Sequence, residues 1–206
     1  MHLTYSNTQR FDNMPFHAYI NLIAKGEKNY SHSFLKSEIA GTSPIFIITE
    51  KVKLGKMVDG ILTSPDEVDP AENPQMFKQA CKIASSIKVN FKGMIEQFKP
   101  QISYTADLSY KGLVLPVCGR LDWLLERQAV LDLKVTEAKT DKEFAAIIRH
   151  MGYGNQMFNY MGLAGVKVAY LMPYSTKANA CLSVVKVEWT GGANSFWENS
   201  VIKFGK

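Results

Sequence analysis

The chain has 206 residues, of which 24 are Lys or Arg and 19 are Asp or Glu, so its formal net charge of +5 is compatible with a phosphate-rich partner without requiring one. Its 46% of hydrophobic residues is ordinary for one globular domain with a full core. Since no apolar run approaches the roughly 18 residues of a membrane span, and the N-terminus lacks the basic-then-apolar pattern of a signal peptide, we expect a cytoplasmic protein without membrane contact.

The first half of the chain is predicted to be mainly helical. A short helix is expected to begin at Ser31, whose hydroxyl can cap it, and a second helix is expected over residues 52–63. Asn73 and Pro74 have the pattern of an N-cap followed by proline at the first helical position. Apolar residues then recur at helical spacing over residues 76–98, which predicts one long helix with a core-facing stripe.

The second half of the chain alternates between strand-like and helical patterns. Three runs with strand character cover residues 101–110, 114–125 and 130–136. Two helices, two strands and a last short helix follow, over 140–150, 156–163, 166–172, 182–189 and from 194 onward. Strands followed by helices and further strands predict an α/β fold.

The predicted hairpin over residues 119–134 is the most informative stretch. If its turn is centred on Arg127, Asp122 and Asp132 pair across the strands, with Cβ atoms roughly 5 Å apart. Lys134 then lies on the same strand face as Asp132. The other face of that strand is apolar and consists of Leu131, Leu133 and Val135. Two facing carboxylates repel unless a cation neutralises them, and hard oxygen ligands on a partly hydrated site suit Mg²⁺ or Mn²⁺.

This arrangement is suited to phosphodiester hydrolysis. A divalent ion held by two aspartates can polarise a phosphodiester oxygen and activate a water molecule. A lysine beside the ion can steady the developing charge. The alternative is a surface hairpin with solvated charges. Two features argue against that alternative, because the charges interrupt strongly apolar strands and all three converge on one face.

Other common sites find no support in the sequence. The three cysteines, Cys81, Cys118 and Cys181, are far apart and form no paired motif, so a zinc site is not expected. No glycine-rich phosphate loop is present, so ATP-driven activity is not expected either.

Three segments resemble motifs of the PD-(D/E)XK nuclease superfamily, and most closely its RecB-type and phage exonuclease branch, which includes the domain of exodeoxyribonuclease VIII. Gly-Arg-Leu-Asp at 119–122 and Leu-Asp-Leu-Lys at 131–134 resemble the paired motif. Residues 152–160 resemble the helical Gln-x-x-x-Tyr motif that follows it in that branch. Residues 54–62 resemble the first motif, with Asp59 at the position where many members carry a histidine metal ligand.

The resemblance implies a nuclease core with a central mixed sheet flanked by helices. In this interpretation a single nuclease domain covers 1–206, with an N-terminal helical segment (1–50), the catalytic core (51–190) and a C-terminal helix (191–206). Asp122 and Asp132 are the implied ligands of Mg²⁺, with Mn²⁺ as a substitute. Asp59 is a third candidate ligand, and Lys134 is the implied residue that positions or activates the water and stabilises charge.

The resemblance also implies contacts with DNA. Tyr153, Gln156 and Tyr160 are spaced so that they share one helix face. That face either reaches DNA phosphates and orients the site or packs on the sheet, and the resemblance favours the first role. Arg120 is a further candidate for DNA contact.

The implied activity is that of an exonuclease on duplex DNA ends in phage-type recombination or DNA processing, in a bacterial or phage-infected cell. A single-strand annealing recombinase and a ring-shaped homo-oligomer are the partners that the resemblance implies. The alternatives are a structure-specific or single-strand endonuclease with the same site, and a nucleic-acid-binding module that has lost catalysis.

Overall fold

A computed structural model describes residues 3–12, 14, 18–19, 49–189 and 194–205. These residues form a seven-stranded sheet flanked by five α-helices. The strands are β1 (Thr4–Asp12), β2 (Lys99–Tyr110), β3 (Leu113–Leu125), β4 (Ala129–Thr136), β5 (Val168–Ser175), β6 (Ala180–Cys181) and β7 (Val185–Glu188). The helices are α1 (Glu50–Thr63), α2 (Pro74–Ile95), α3 (Asp141–Met151), α4 (Tyr153–Ala164) and α5 (Ser195–Phe204).

The sheet is mixed, as expected. The strands follow the order β1-β2-β3-β4-β5, and the two short strands β6 and β7 both pair with β5. Only β4 and β5 are parallel among these pairs, and α3 and α4 form the crossover that a parallel connection requires. The α/β fold with a central mixed sheet flanked by helices is therefore confirmed.

The sheet has a hydrophobic core on each face. One core joins the sheet to α3, α4 and α5 through Phe144, Met157 and Trp197. The other joins it to α1 and α2 through side chains that include Val58 and Ile83. None of the described helices combines the length and the apolar character needed to cross a membrane.

Local sequence signals determine where the helices begin. The Thr49 hydroxyl caps α1 by accepting from Val52 N at 3.3 Å, so this helix begins two residues earlier than predicted. Asn73 accepts from Met76 N at 3.0 Å, with Pro74 in the first turn, as predicted. The remaining side-chain caps are those predicted at Thr140 and Asn194.

Two parts of the chain differ from the predicted secondary structure, and a third predicted element cannot be compared with the structure. The N-terminal segment was expected to be helical, but Thr4–Asp12 forms the edge strand β1. Most of its side chains are exposed on both faces, so the sequence lacks the alternation by which a half-buried strand is recognised. The strand expected over 182–189 is the shorter β7 (Val185–Glu188), and the two-residue strand β6 (Ala180–Cys181) precedes it without having been predicted. The helix expected at Ser31 lies outside the described residues.

An ion-pair cluster holds the β3–β4 turn against the edge of the sheet. Glu126 in the turn lies 2.8 Å from the Arg10 guanidinium on β1 and 3.1 Å from the Lys99 ammonium at the start of β2. Hydrogen bonds from Arg10 and then Lys99 lower the pKa of Glu126 to about 2. The cluster therefore links three strands that meet at one end of the sheet.

Replacing Glu126 with Gln should lower the free energy of unfolding at pH 7 by less than about 1 kcal/mol, because the Glu126 side chain is 41% exposed and solvent screens the pair. The folded-state pKa lies below the ordinary 4.5, so the stabilisation is present above pH 4.5 and disappears as the pH falls toward 2. Denaturant unfolding of wild type and variant at pH 7 and at pH 2 measures this. A difference of the same size at both values would contradict it. Glu188→Gln, which removes an exposed ion pair within β7, is the matched control.

Candidate active site

The strands β3 and β4 separate shortly after their turn. Their ladder consists of three pairs, the last of which joins Trp123 and Leu131. The next pair in this register is Asp122 and Asp132, as predicted from the hairpin centre. Beyond this point, within the described residues, β3 remains paired with β2 and β4 with β5. The two strands therefore diverge, and we call the point where Asp122 and Asp132 face each other the apex.

The two aspartates at the apex are held differently. Asp122 Oδ2 accepts a hydrogen bond from Leu133 N at 2.7 Å, which replaces a backbone bond between the separating strands. Asp132 is 2% exposed and projects from the face of β4 opposite to Leu131 and Leu133, which lie in the core with α1 and α2. The predicted division of β4 into a polar and an apolar face is confirmed.

The side-chain alternation of the sheet is broken beside the apex. Leu121 lies in the core with α4 and α5, whereas Trp123, two residues later on the same strand, lies in the opposite core. The residue that faces Asp122 on β2 is Gln101, which has a φ of +50° within a strand. Both strands therefore change the face that they present at the same pair, and polar side chains leave the sheet toward both sides there.

Lys134 connects the apex to helix α4. Its ammonium group forms an ion pair with Asp132 Oδ2 and donates to Gln156 Oε1 at 3.1 Å. It also lies 4.6 Å from the centre of the Tyr153 ring, within range of a cation–π contact. Gln156 Nε2 in turn donates to the Tyr160 hydroxyl at 2.9 Å. The structure therefore brings these five sequence-predicted residues together in one set of contacts.

Asp59 reaches the same region from α1, on the other side of the sheet. Its Oδ2 lies 3.5 Å from Gln101 Nε2. Its Oδ1 is buried and has no hydrogen-bond partner among the residues that the structure describes. Arg120 donates to Gln101 Oε1, so this predicted residue also lies at the site.

The three carboxylates share an unfavourable electrostatic environment. Burial raises the pKa of Asp59 to about 7, with Arg120 opposing and Asp132 adding to the shift. Burial raises the pKa of Asp122 well above its ordinary range, and the charges of Asp59 and Asp132 raise it further. Burial also raises the pKa of Asp132 against the pull of Lys134. The neighbouring cations therefore leave part of the negative charge uncompensated.

Lys134 keeps its proton in this environment. Burial alone would lower the pKa of Lys134, but the charge of Asp132, with smaller contributions from Tyr153 and Asp122, outweighs it, and the net shift is upward. At neutral pH the group is an ammonium ion that can donate hydrogen bonds and offset negative charge.

No protein-family model and no curated protein sequence matches the chain. Among solved structures, it is similar to a candidate exonuclease from Eubacterium rectale, with a TM-score of 0.54 and 14% identity over 94% of this chain and 82% of that chain. A phage-related exonuclease from Haemophilus somnus aligns with a TM-score of 0.43 and 13% identity, over 88% of this chain and 92% of that chain.

The chain therefore shares the fold of the candidate exonuclease from Eubacterium rectale. This agrees with the resemblance seen in the sequence, which was carried by the residues now found at the apex and on the adjoining helices.

The side chains of this site are of the chemical types that bind a divalent metal, but they are not grouped as a preformed metal centre. Carboxylate oxygens are the donors that Mg²⁺ and Mn²⁺ prefer, and the unpartnered Asp59 Oδ1 is one such donor. Within the described part of the chain, however, no three carboxylate, histidine or cysteine side chains are grouped as a metal centre. Asp122 and Asp132 are instead engaged by the Leu133 N–H and the Lys134 ammonium. The carboxylate oxygens therefore suit a divalent metal, which would compete with these two contacts for Asp122 and Asp132.

Sequence reasoning missed two residues that shape the site. Gln101 carries no recognisable signal, since a polar residue near the start of a strand is ordinary. Gly119 is needed because a Cβ at this position would lie 2.7 Å from Leu163 Cδ1 and 3.0 Å from ring atoms of Tyr160. The absence of a side chain lets α4 approach β3, so that Tyr160 can contact Gln156.

Replacing Gly119 with Ala should destabilise the fold by about 1–3 kcal/mol, because the added methyl group overpacks the contact with α4. The displaced Tyr160 should also lower activity. Gly93→Ala is the control, because nothing lies within 4 Å of its Cβ position on α2. That change should stabilise the helix by up to about 1 kcal/mol. Denaturant unfolding measures both effects, and wild-type stability of Gly119→Ala would show that the contact is not tight.

Proposed function

We propose that the chain is a divalent-metal-dependent deoxyribonuclease that hydrolyses phosphodiester bonds, acting as an exonuclease on duplex ends. One observation carries the proposal. Asp122, Asp132 and Lys134 converge where the sheet of a PD-(D/E)XK nuclease-like fold opens, and their charges are incompletely balanced. The exonuclease designation of the Eubacterium rectale protein supports the same class of activity.

The carboxylates at the apex are the proposed metal ligands. Asp122 and Asp132 would hold Mg²⁺, or Mn²⁺ in its place, and Asp59 Oδ1 is available as a further donor. The bound ion supplies Lewis acidity toward a phosphodiester oxygen and lowers the pKa of a water molecule. The raised pKa values of the carboxylates favour this role, because a nearby divalent charge relieves the repulsion that burial intensifies.

Lys134 is proposed to stabilise charge. Its upward-shifted pKa keeps it protonated, so it acts as a donor toward the attacking hydroxide or the phosphate oxygens rather than as a proton acceptor. Asp132, Gln156 and the Tyr153 ring hold the ammonium in place from three directions. Such fixed placement lets it act without reorganisation during the reaction.

The polar face of α4 is proposed to align the DNA backbone. Gln156 and Tyr153 are partly exposed beside Lys134 and can meet phosphate groups. Tyr160 is 8% exposed and bonded to Gln156, so we assign it the role of orienting Gln156. Arg120, on the α1 side of the apex, is the proposed cation for a second phosphate.

The activity is tested with end-labelled linear duplex, closed circular duplex and single-stranded DNA, each with Mg²⁺ and with a chelator. We expect loss of the linear duplex from its ends, resistance of the circle, and no reaction with chelator. Cleavage of the circle would assign an endonuclease with the same site. Binding of DNA without cleavage of any substrate would overturn the proposal in favour of a binding module.

Asp132→Asn should abolish Mg²⁺-dependent cleavage while the protein stays folded, because the amide keeps the shape of the side chain but cannot supply an anionic ligand. The control is Glu137→Gln, which makes the same chemical change one residue beyond β4, at a surface carboxylate paired with Lys51 and Lys177. Cleavage rates and circular dichroism are measured for both variants. A wild-type rate for Asp132→Asn would contradict the assignment.

Lys134→Met should reduce the cleavage rate on the order of 10²-fold or more, since the lost donor acts on charge that develops in the transition state. Metal affinity, measured by Mn²⁺ calorimetry, should not fall, because an ammonium group is not a ligand. Lys142→Met, at an exposed position on α3, provides the control. Restoration of the rate of Lys134→Met by excess Mg²⁺ would show that the residue acts through the metal instead.

A further inference from the structure

Gln101 occupies the space between the two charged groups on the α1 side of the apex. Its Oε1 accepts from the Arg120 guanidinium, and its Nε2 donates to Thr63 Oγ1 and lies 3.5 Å from Asp59 Oδ2. The residue is 5% exposed. One neutral amide therefore contacts a cation on one side and a carboxylate on the other.

The direction of each hydrogen bond in this cluster is fixed by chemistry. A guanidinium can only donate, so the carbonyl oxygen of Gln101 must face Arg120. With the oxygen turned toward Arg120, the amide nitrogen faces Thr63 and Asp59. The Thr63 hydroxyl donates to the backbone carbonyl of Asp59 at 2.8 Å, which leaves its oxygen to accept from Gln101. The amide thus has a single orientation that satisfies all of its neighbours.

The backbone of Gln101 is held in a conformation that favours glycine. Its φ of +50° costs a non-glycine residue about 1 kcal/mol or more. Three of the other non-glycine residues with positive φ, Lys111, Arg127 and Asn179, lie in turns between strands. The fourth, Asn7, lies at an irregularity of edge strand β1, whereas Gln101 lies opposite Asp122 and beside the proposed metal ligands. The side-chain contacts of Gln101 are what offset the backbone cost.

A direct contact between Arg120 and Asp59 would be the alternative arrangement. A guanidinium and a carboxylate pair through two parallel hydrogen bonds, which occupy both carboxylate oxygens. With Gln101 between them, Oδ2 of Asp59 faces the amide and Oδ1 has no hydrogen-bond partner among the described residues. The amide therefore keeps one carboxylate oxygen available.

We propose that Gln101 is a positioning residue that separates Arg120 from Asp59 and orients the Asp59 carboxylate so that Oδ1 can bind a divalent cation. This inference rests on the proposed nuclease function. It names a residue that acts through Asp59 and does not itself touch the metal or the DNA.

The test compares Gln101→Gly with Lys111→Gly. Both changes relieve a positive φ, and only the first removes the amide; Lys111 lies in the β2–β3 turn. Thermal unfolding and Mn²⁺ affinity by calorimetry are measured without DNA. We expect both variants to be at least as stable as the wild type, and Mn²⁺ affinity to fall about tenfold or more in Gln101→Gly alone.

A double-mutant cycle with Asp59→Asn separates positioning from a general structural effect. If Gln101 acts through Asp59, adding Gln101→Gly to Asp59→Asn should cause no further loss of Mn²⁺ affinity. An equal loss in both backgrounds would overturn the inference. Gln101→Met, which keeps the length of the side chain without its hydrogen bonds, serves in the same cycle if Gln101→Gly does not fold.

Different results would overturn the role of Gln101 and the proposed function. Wild-type Mn²⁺ affinity in a folded Gln101→Gly protein, with normal cleavage, would overturn the role of Gln101 and leave the nuclease proposal intact. A wild-type protein that neither binds Mn²⁺ nor cleaves DNA would overturn the nuclease proposal and this inference together.

Discussion

The desolvation of three neighbouring carboxylates is the constraint on which the site depends, and repulsion between them adds to its cost. Asp122 and Asp132 occupy facing positions where β3 and β4 separate, and Asp59 approaches from α1. In a continuous ladder, two aspartates in these positions would be cross-strand neighbours without room for a counter-ion, which destabilises a sheet. The separation of the strands removes that conflict, because the β3–β4 ladder ends before this pair.

The two cations near the apex compensate this charge in different ways. Lys134 pairs directly with Asp132, whereas Arg120 is connected to Asp59 through the amide of Gln101. Direct pairing neutralises a carboxylate, while an intervening amide leaves it only partly compensated. Asp59 on the α1 side and Asp122 at the apex therefore both keep a raised pKa. Incomplete compensation of this kind lowers folding stability, as is common at functional sites.

Sequence patterns predicted the features that depend on local spacing. The symmetry of the hairpin about Arg127 predicted that Asp122 and Asp132 face each other. Strand alternation predicted that Lys134 lies beside Asp132. Edge strand β1 was missed because its exposed side chains leave no apolar period to detect. The ion pairs of Glu126 were also unpredictable, since Arg10 is 116 residues away in sequence and is brought near only by the strand order.

The role proposed for Gln101 could not be predicted from the sequence, for a different reason. Its position depends on a break in alternation that β2 and β3 share, and neither strand shows the break in its own residue pattern. If only one strand changed faces, the paired residues Ile102 and Leu121 would no longer lie in one core. Because both change together, the cores remain intact on each side of the break. The single pair at the break, Gln101 and Asp122, is then the place where polar groups can leave the sheet without disrupting either core.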